Sequence, residues 1–293
     1  MPLNFEPISL SNQDEYLDMF HRCPKKSSDY SFINLWGWSD DHGLYWAWSD
    51  DAVWIKQTIP NEALWAPVGP WKEIDWSRCF DKYFDESITF LRIPEELLLI
   101  WERDTKERIH REDERAQWDY IYDVKELIEL KGNRFHKKKN LLNQFRKKYD
   151  FQFVPFDIEM IDMALAMQED WCTWRDCESS EALSAENQVI SRILDSWKKF
   201  EGLIGGAIIV DQNMVAYTIA EPLSQDTVVI HFEKGNPDYK GAYQAINQMF
   251  LEHNSEQFNF VNREQDLGDE GLRKAKLSYN PTNFLKKYRV TLK

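Results

Sequence analysis

Two periods of apolar spacing, one helical and one extended, alternate along the second half of the chain. Phe151 to Val154 reads as a short strand, and Ile158 to Trp171 and Glu186 to Phe200 carry apolar residues at helical spacing. Three apolar runs follow at Leu203 to Val210, Met214 to Ala220 and Thr227 to Glu233, the last two rich in β-branched and aromatic side chains. Asp211-Gln212-Asn213 is short and polar enough for a hairpin turn, and Pro222 to Gln225 joins the next pair, so the runs predict an antiparallel meander. Tyr239, Tyr243, Ile246 and Phe250 fall at intervals of four, three and four, which marks a helix with one buried face. Phe258 to Val261 returns as a strand, making a parallel crossover of the last strand, helix and strand.

The first half is less regular. It predicts a helix near Asp14 to Phe20 and strands near Leu44 to Trp48, Ala52 to Gln57, Ile88 to Ile93 and Trp118 to Tyr122, punctuated by Pro60, Pro67, Pro70 and Pro94. Asp123-Val124-Lys125-Glu126 has the form of a capping box ahead of Leu127, Ile128 and Leu130, so a helix begins there. After Lys131-Gly132-Asn133 the helical spacing resumes with Leu141, Leu142 and Phe145 among lysines. These signals divide the chain into an N-terminal domain over 1–125, basic linker helices over 126–149 and a C-terminal domain over 150–293.

With 43% hydrophobic residues over 293, the chain reads as globular rather than disordered. Its 36 basic and 50 acidic residues give a formal charge of −14, a balance that normally repels nucleic acid. The cations are segregated, however. Lys131 to Tyr149 holds eight Lys or Arg and Gly271 to Lys293 holds seven, neither with an acid. Two such segments can steer a phosphate-bearing ligand to one place; the alternative is a solvated linker and terminus. Of 13 Trp, ten lie at or before Trp118, some in pairs such as Trp36/Trp38 and Trp46/Trp48 that share a face if extended. They are expected in the core. Cys172 and Cys177 lack a nearby histidine and any metal-ligand spacing and are expected as buried small hydrophobes; no metal is expected. No apolar run approaches the roughly 20 residues that cross a bilayer. The absence of a CxxC pair and of a basic, then apolar start points to the cytoplasm.

The order strand, helix, helix, three antiparallel strands, helix, strand, helix resembles the GNAT acyltransferase fold. Gly271-Leu272-Arg273, then Lys276, Tyr279 and Pro281, resemble the C-terminal domain of phosphatidylglycerol lysyltransferases. Ser28-Asp29-Tyr30-Ser31-Phe32, Asn34-Leu35-Trp36 and Trp65-Ala66-Pro67-Val68-Gly69 resemble uncharacterised bacterial members of that family. The resemblance implies an α+β fold of two tandem GNAT domains, each a mostly antiparallel sheet flanked by helices, as in the related Fem peptidyltransferases. It implies transfer of an aminoacyl group from aminoacyl-tRNA to an amine or hydroxyl of a small molecule or lipid headgroup, with no tightly bound cofactor. A membrane-spanning half, present in the lysyltransferases, is missing from this sequence.

In ordinary GNAT enzymes a Gln/Arg-x-x-Gly-x-Gly/Ala loop binds the coenzyme A pyrophosphate. The matching stretch here is Asp238-Tyr239-Lys240-Gly241-Ala242-Tyr243, where an acid would repel and a ring would crowd that group. Lys240 and Gly241 can still meet a phosphate, or Gly241 can simply turn the chain into its helix. Acyl transfer needs a base and donors for the oxyanion. Glu233 at the end of the third meander strand is the first choice of base, His231 two residues earlier is expected on its face, and Glu264 and Asp266 compete from the next strand end. Arg273 and Lys276, three apart on a helix, would bind terminal phosphates or stabilise the oxyanion, or else pair with Asp266, Asp269 or Glu270. Asn262 and Arg263 would enter the cleft, and Tyr279 would donate a hydrogen bond or pack. Arg134, Lys137, Lys138 and Lys139 are the expected tRNA-phosphate contacts. The alternatives are an acetyl-coenzyme A-dependent N-acetyltransferase and a non-catalytic module that binds RNA or another polyanion.

Overall fold

A computed structural model of the chain describes residues 3–49, 51–105 and 108–293. It resolves into two compact units. The first comprises the chain as far as Asp119, Gln265–Gly268 and Phe284–Lys293; the second comprises Tyr120–Glu264 and Asp269–Asn283. The division is not the consecutive one expected around residue 125, because the chain returns to the first unit twice near its end.

The first unit opens with β1 (Glu6–Pro7), α1 (Gln13–His21), α2 (Phe32–Gly37) and α3 (Ser39–His42). Strands β2 (Leu44–Trp48), β3 (Val53–Gln57) and β4 (Ala63–Trp65) form an antiparallel meander. Helix α4 (Trp76–Tyr83), capped by the Asp75 carboxylate on the Arg78 amide at 3.1 Å, then carries the chain to β5 (Ile88–Pro94), which runs parallel to β4. Helix α5 (Glu95–Thr105) and β6 (Ile109–Asp113) follow. Trp46, Trp54, Trp65, Trp71, Trp76 and Trp101 are almost wholly buried, so the tryptophan excess is core, as expected. Trp36 and Trp38, in contrast, fall in α2 and just after it rather than on a strand.

In the second unit β7 (Asp119–Asp123) leads into α6 (Val124–Glu129), which begins on the predicted cap, with Asp123 Oδ1 accepting the Glu126 amide at 2.8 Å. Helix α7 (His136–Lys148), β8 (Phe151–Pro155), α8 (Met160–Arg175) and α9 (Glu181–Asp195) come next. Strands β9 (Ile204–Val210), β10 (Asn213–Pro222) and β11 (Thr227–Gly235) are the predicted meander. Its first turn places Asp211 at φ 49° and Gln212 at φ 65°, the left-handed pair that matches hairpin twist. Helix α10 (Ala242–His253) returns the chain to β12 (Phe260–Asn262), parallel to β11. Helix α11 (Glu270–Leu277), β13 (Asn283–Leu285) and β14 (Lys287–Leu292) end the chain. β14 inserts between β5 and β6 in the first sheet, antiparallel to both. Each unit thus repeats one plan: three antiparallel strands, a helix, and a fourth strand parallel to the third.

Candidate functional site

The parallel ladder of the second unit covers Thr227–Val229 against Phe260–Asn262, while β11 continues beyond it to Gly235. Side chains fill the region where the strands part. The Asn262 side chain accepts the Glu264 amide at 2.8 Å, and Glu264 takes φ 55°, which reverses the chain after β12. Tyr120 holds the turn, its carbonyl accepting the Arg263 amide at 2.9 Å and its amide donating to the Glu264 carbonyl at 3.2 Å. So clamped, Arg263 directs Nη2 to Glu233 Oε1 at 2.9 Å, and Asn247 of α10 donates to Glu233 Oε2 at 2.9 Å. Arg263 Nη1 is buried without a hydrogen-bond partner.

Aromatic rings enclose this pair. The guanidinium lies 4.8 Å from the centre of the Tyr279 ring and 5.9 Å from that of Tyr122. Burial works against the charge of Arg263, but Glu233 and the two phenols more than offset it and raise its pKa. Burial likewise raises the pKa of Tyr279 against the pull of Arg263, so its phenol is protonated at neutral pH. Its oxygen accepts from Gln244 Nε2 at 3.2 Å. Lys138 reaches over the same ring from α7, with Nζ at 4.0 Å from the ring centre. Burial and the charge of Arg263 lower its pKa, with Glu233 opposing. Lys276 of α11 donates Nζ to the Arg263 carbonyl, and its own carbonyl accepts from Tyr122 Oη at 2.9 Å.

Several sequence expectations change. Glu233 has both oxygens engaged and is not poised to take a proton. His231 does not act with it: Ile219 pairs with Phe232 and Ala220 with Ile230, so His231 is the extra residue of a β-bulge. Its ring lies between Glu221 Oε1 and Glu264 Oε1, each at 2.8 Å. Burial pulls its pKa down, but the hydrogen bonds and charges of the two carboxylates prevail and raise it to about 9. A folded-state value above the unfolded one, about 6.5, means stabilisation that is complete below pH 6.5 and lost as pH climbs through about 9. Urea unfolding should therefore show stability falling between about pH 7 and 10, and His231→Phe should flatten that fall. Equal slopes in the two proteins would remove His231 as its source.

Asp266 belongs to the first unit, where it is buried, pairs with Arg115 at 3.1 Å and accepts the Gly268 amide at 2.9 Å. The second basic segment is likewise divided. Arg273, half-buried, and Lys276 stay in the second unit, whereas Lys286, Lys287 and Arg289 pair in the first with Glu95, with Asp29 and Asp119, and with Glu114. Lys137 and Lys139 point to solvent and Arg134 pairs with Glu126, so of the four expected phosphate contacts only Lys138 faces the cluster. Cys172 and Cys177 are joined in a disulfide rather than standing as separate thiols, because the left-handed turn at Asp176 (φ 50°) brings them together after α8.

Lys240 is exposed, and Gly241 precedes α10 at φ 94°. A Cβ there would lie 2.4 Å from the Leu141 carbonyl oxygen of α7, so Gly241 serves the close packing of the two helices. Gly241→Ala should cost about 1–3 kcal/mol in urea unfolding; a cost within about 0.5 kcal/mol would show that the contact relaxes freely. Among the described residues no group of three His, Cys, Asp or Glu could hold a metal ion, and no helix is long and apolar enough to cross a membrane.

The sequence profile described as phosphatidylglycerol lysyltransferase, C-terminal, matches residues 20–291. A conserved protein of unknown function from Bacteroides thetaiotaomicron is 31% identical, with a TM-score of 0.87 over 99% of this chain and 100% of its own. L-PGS from Bacillus licheniformis shares the fold at 14% identity, with a TM-score of 0.63 over 98% of this chain and 92% of its own. An uncharacterized protein of Mycoplasmoides gallisepticum is 25% identical over 175 residues, 59% of this chain; the chain spans about half that relative's length, 55%. The two repeated units are the α+β plan of mostly antiparallel sheets flanked by helices that the family resemblance implied.

Proposed function

Because the chain belongs to the phosphatidylglycerol lysyltransferase C-terminal family, a family of acyl and aminoacyl transferases, we propose that its second unit moves an aminoacyl group from aminoacyl-tRNA to an amine or hydroxyl acceptor. The acceptor is a small molecule or a lipid headgroup. The observation that carries this reading is the cluster filling the parting of β11 and β12: Arg263 with an unsatisfied buried Nη1, the protonated phenol of Tyr279, and Lys138 with a lowered pKa. The acceptor heteroatom attacks the ester carbonyl, and Arg263 Nη1 stabilises the oxyanion. Lys138, once it has lost its own proton, takes the acceptor's proton; as the ester C–O bond breaks, Tyr279 gives its proton to the ribose oxygen and regains one from Lys138. Glu233, Asn247 and the Lys276 contact to the Arg263 carbonyl position the guanidinium.

A coenzyme A-dependent reaction is the second reading, favoured by the amino end of α10 with the exposed Lys240 just before it. Against it stand Asp238 and Tyr243, whose ring packs 3.1 Å from where a Cβ on Gly235 would lie. Thermal denaturation separates the two. Charged tRNA should raise the melting temperature more than uncharged tRNA, and acetyl-coenzyme A should leave it unchanged. Saturable stabilisation by acetyl-coenzyme A would favour the second reading, and equal shifts with both tRNA forms and no turnover would favour a binding module.

A further inference from the structure

Glu233 and Lys234 are successive residues of β11 and so point to opposite faces of the second sheet. Lys234 faces α8 and α9. Its Nζ lies 2.6 Å from Glu186 Oε2 of α9 and 3.7 Å from the centre of the Trp171 ring of α8. Tyr217 pairs with Lys234 across the β10–β11 ladder and donates to Gln168 Oε1 of α8 at 2.5 Å. Tyr243 of α10 accepts from Trp171 Nε1 at 3.0 Å. Lys234 thus links Glu186 to the Tyr217–Gln168 pair through the ladder.

Two features of this cluster are unspent. Gln168 is only 1% exposed, and with its Oε1 accepting from the Tyr217 hydroxyl its Nε2 has no hydrogen-bond partner. Glu186 uses Oε2 for Lys234 while its side chain stays 29% exposed, leaving the carboxylate within reach of a second cation. A buried amide donor, a buried ammonium and a reachable carboxylate, walled by Trp171 and Tyr243, complement a group with a carbonyl and an ammonium on neighbouring atoms.

We propose that this cluster binds an α-amino acid group, with the ammonium on Glu186 and the carbonyl oxygen on Gln168 Nε2 and Lys234. The site lies on the sheet face opposite the transfer cluster, so it holds an amino acid other than the one whose ester carbonyl meets Arg263, and it stands apart from the transfer reading. The same chemistry is offered by a free amino acid and by the first residue of a peptide.

Isothermal titration of the full chain with the methyl amides of alanine, leucine and arginine tests it, beside their N-acetylated forms and the free amino acids. At least one methyl amide should bind saturably, and N-acetylation, which removes the ammonium, should weaken it about tenfold or more. Glu186→Gln should cause a similar loss. Because that change leaves Lys234 buried without its anion, Gln168→Leu, close in volume, is the companion variant; it should weaken the amide about tenfold while cooperative unfolding persists. Tighter binding of the amide than of the free amino acid assigns the site to the first residue of a peptide, and the reverse order assigns it to a free amino acid. No saturable binding, N-acetyl forms that bind equally, or a Gln168→Leu protein that binds as the wild type does would overturn the proposal. Amide binding without consumption of charged tRNA would defeat the transfer reading instead and leave this site standing.

Discussion

Lys287→Met is expected to destabilise the first unit by about 3–5 kcal/mol, enough to unfold a marginal domain. Lys287 Nζ donates to Asp29 and, at 2.6 Å, to Asp119 Oδ1, and all three side chains are at most 1% exposed. Arg92 also holds Asp29, at 2.9 Å, and Ser28 and Gln265 complete the network. Burial alone would raise the pKa of Asp29, but Lys287 and Arg92 overcome it and lower the value to about 2. A depressed carboxylate pKa contributes stability above the unfolded value, about 3.9, and that contribution is lost only as pH falls through about 2. Without Lys287 the two acids are left with less compensating charge, so the deficit should be largest near neutral pH and shrink as acid protonates them. Urea unfolding of the two proteins between about pH 7 and 4 checks both size and sign. Adding Asp119→Asn to Lys287→Met should recover part of the loss. A deficit below about 1 kcal/mol at pH 7 would mean the network is not a buried charge balance.

Arg263→Lys is expected to lower the rate of aminoacyl transfer by about 10²-fold or more with little change in KM, because it keeps the charge and removes the fork that reaches both Glu233 and the oxyanion. Glu233→Gln is the control. Both Glu233 oxygens accept from donors, so the amide keeps one acceptor, sets its NH2 against the other donor and should misplace Arg263, lowering the rate about tenfold while leaving the shape of the pH–rate profile unchanged. Loss of the low-pH limb of the pH–rate profile in Glu233→Gln, with that limb kept in Arg263→Lys, would return Glu233 to the role of base.

The sequence shows why these two carboxyl readings diverge. The meander, the crossover helix and the cap at Asp123 are local patterns, and each appears within three residues of its expected place. The bulge at His231 is a property of pairing with Ile219 and Ala220, which no spacing within β11 reveals. Likewise nothing local tells that Lys286, Lys287 and Arg289, part of an acid-free run, meet their counter-charges in β-strand and helix ends far away in sequence. One signal was available and unused: Lys138, Leu142 and Phe145 lie four and three apart on α7, and the last two are buried, so Lys138 shares their inward face while Lys137 and Lys139 do not. The Gln168, Glu186 and Lys234 cluster gathers three separate elements and leaves no motif. The Ser28-Asp29-Tyr30 and Trp65 residues that carry the family resemblance build the buried network of the first unit. The Tyr30 hydroxyl donates to the Arg92 carbonyl at 2.9 Å, and the Arg92 guanidinium lies 4.0 Å from the centre of the Trp65 ring.

The most direct measurement follows a labelled amino acid on charged tRNA incubated with the full chain and with glycerol or ethanolamine as acceptor. Label should leave the tRNA faster than by spontaneous hydrolysis and appear in an ester or amide product, with the acceleration largely lost in Arg263→Lys. Label that stays on the tRNA at the spontaneous rate, while acetyl-coenzyme A is consumed by the same protein, would contradict the account.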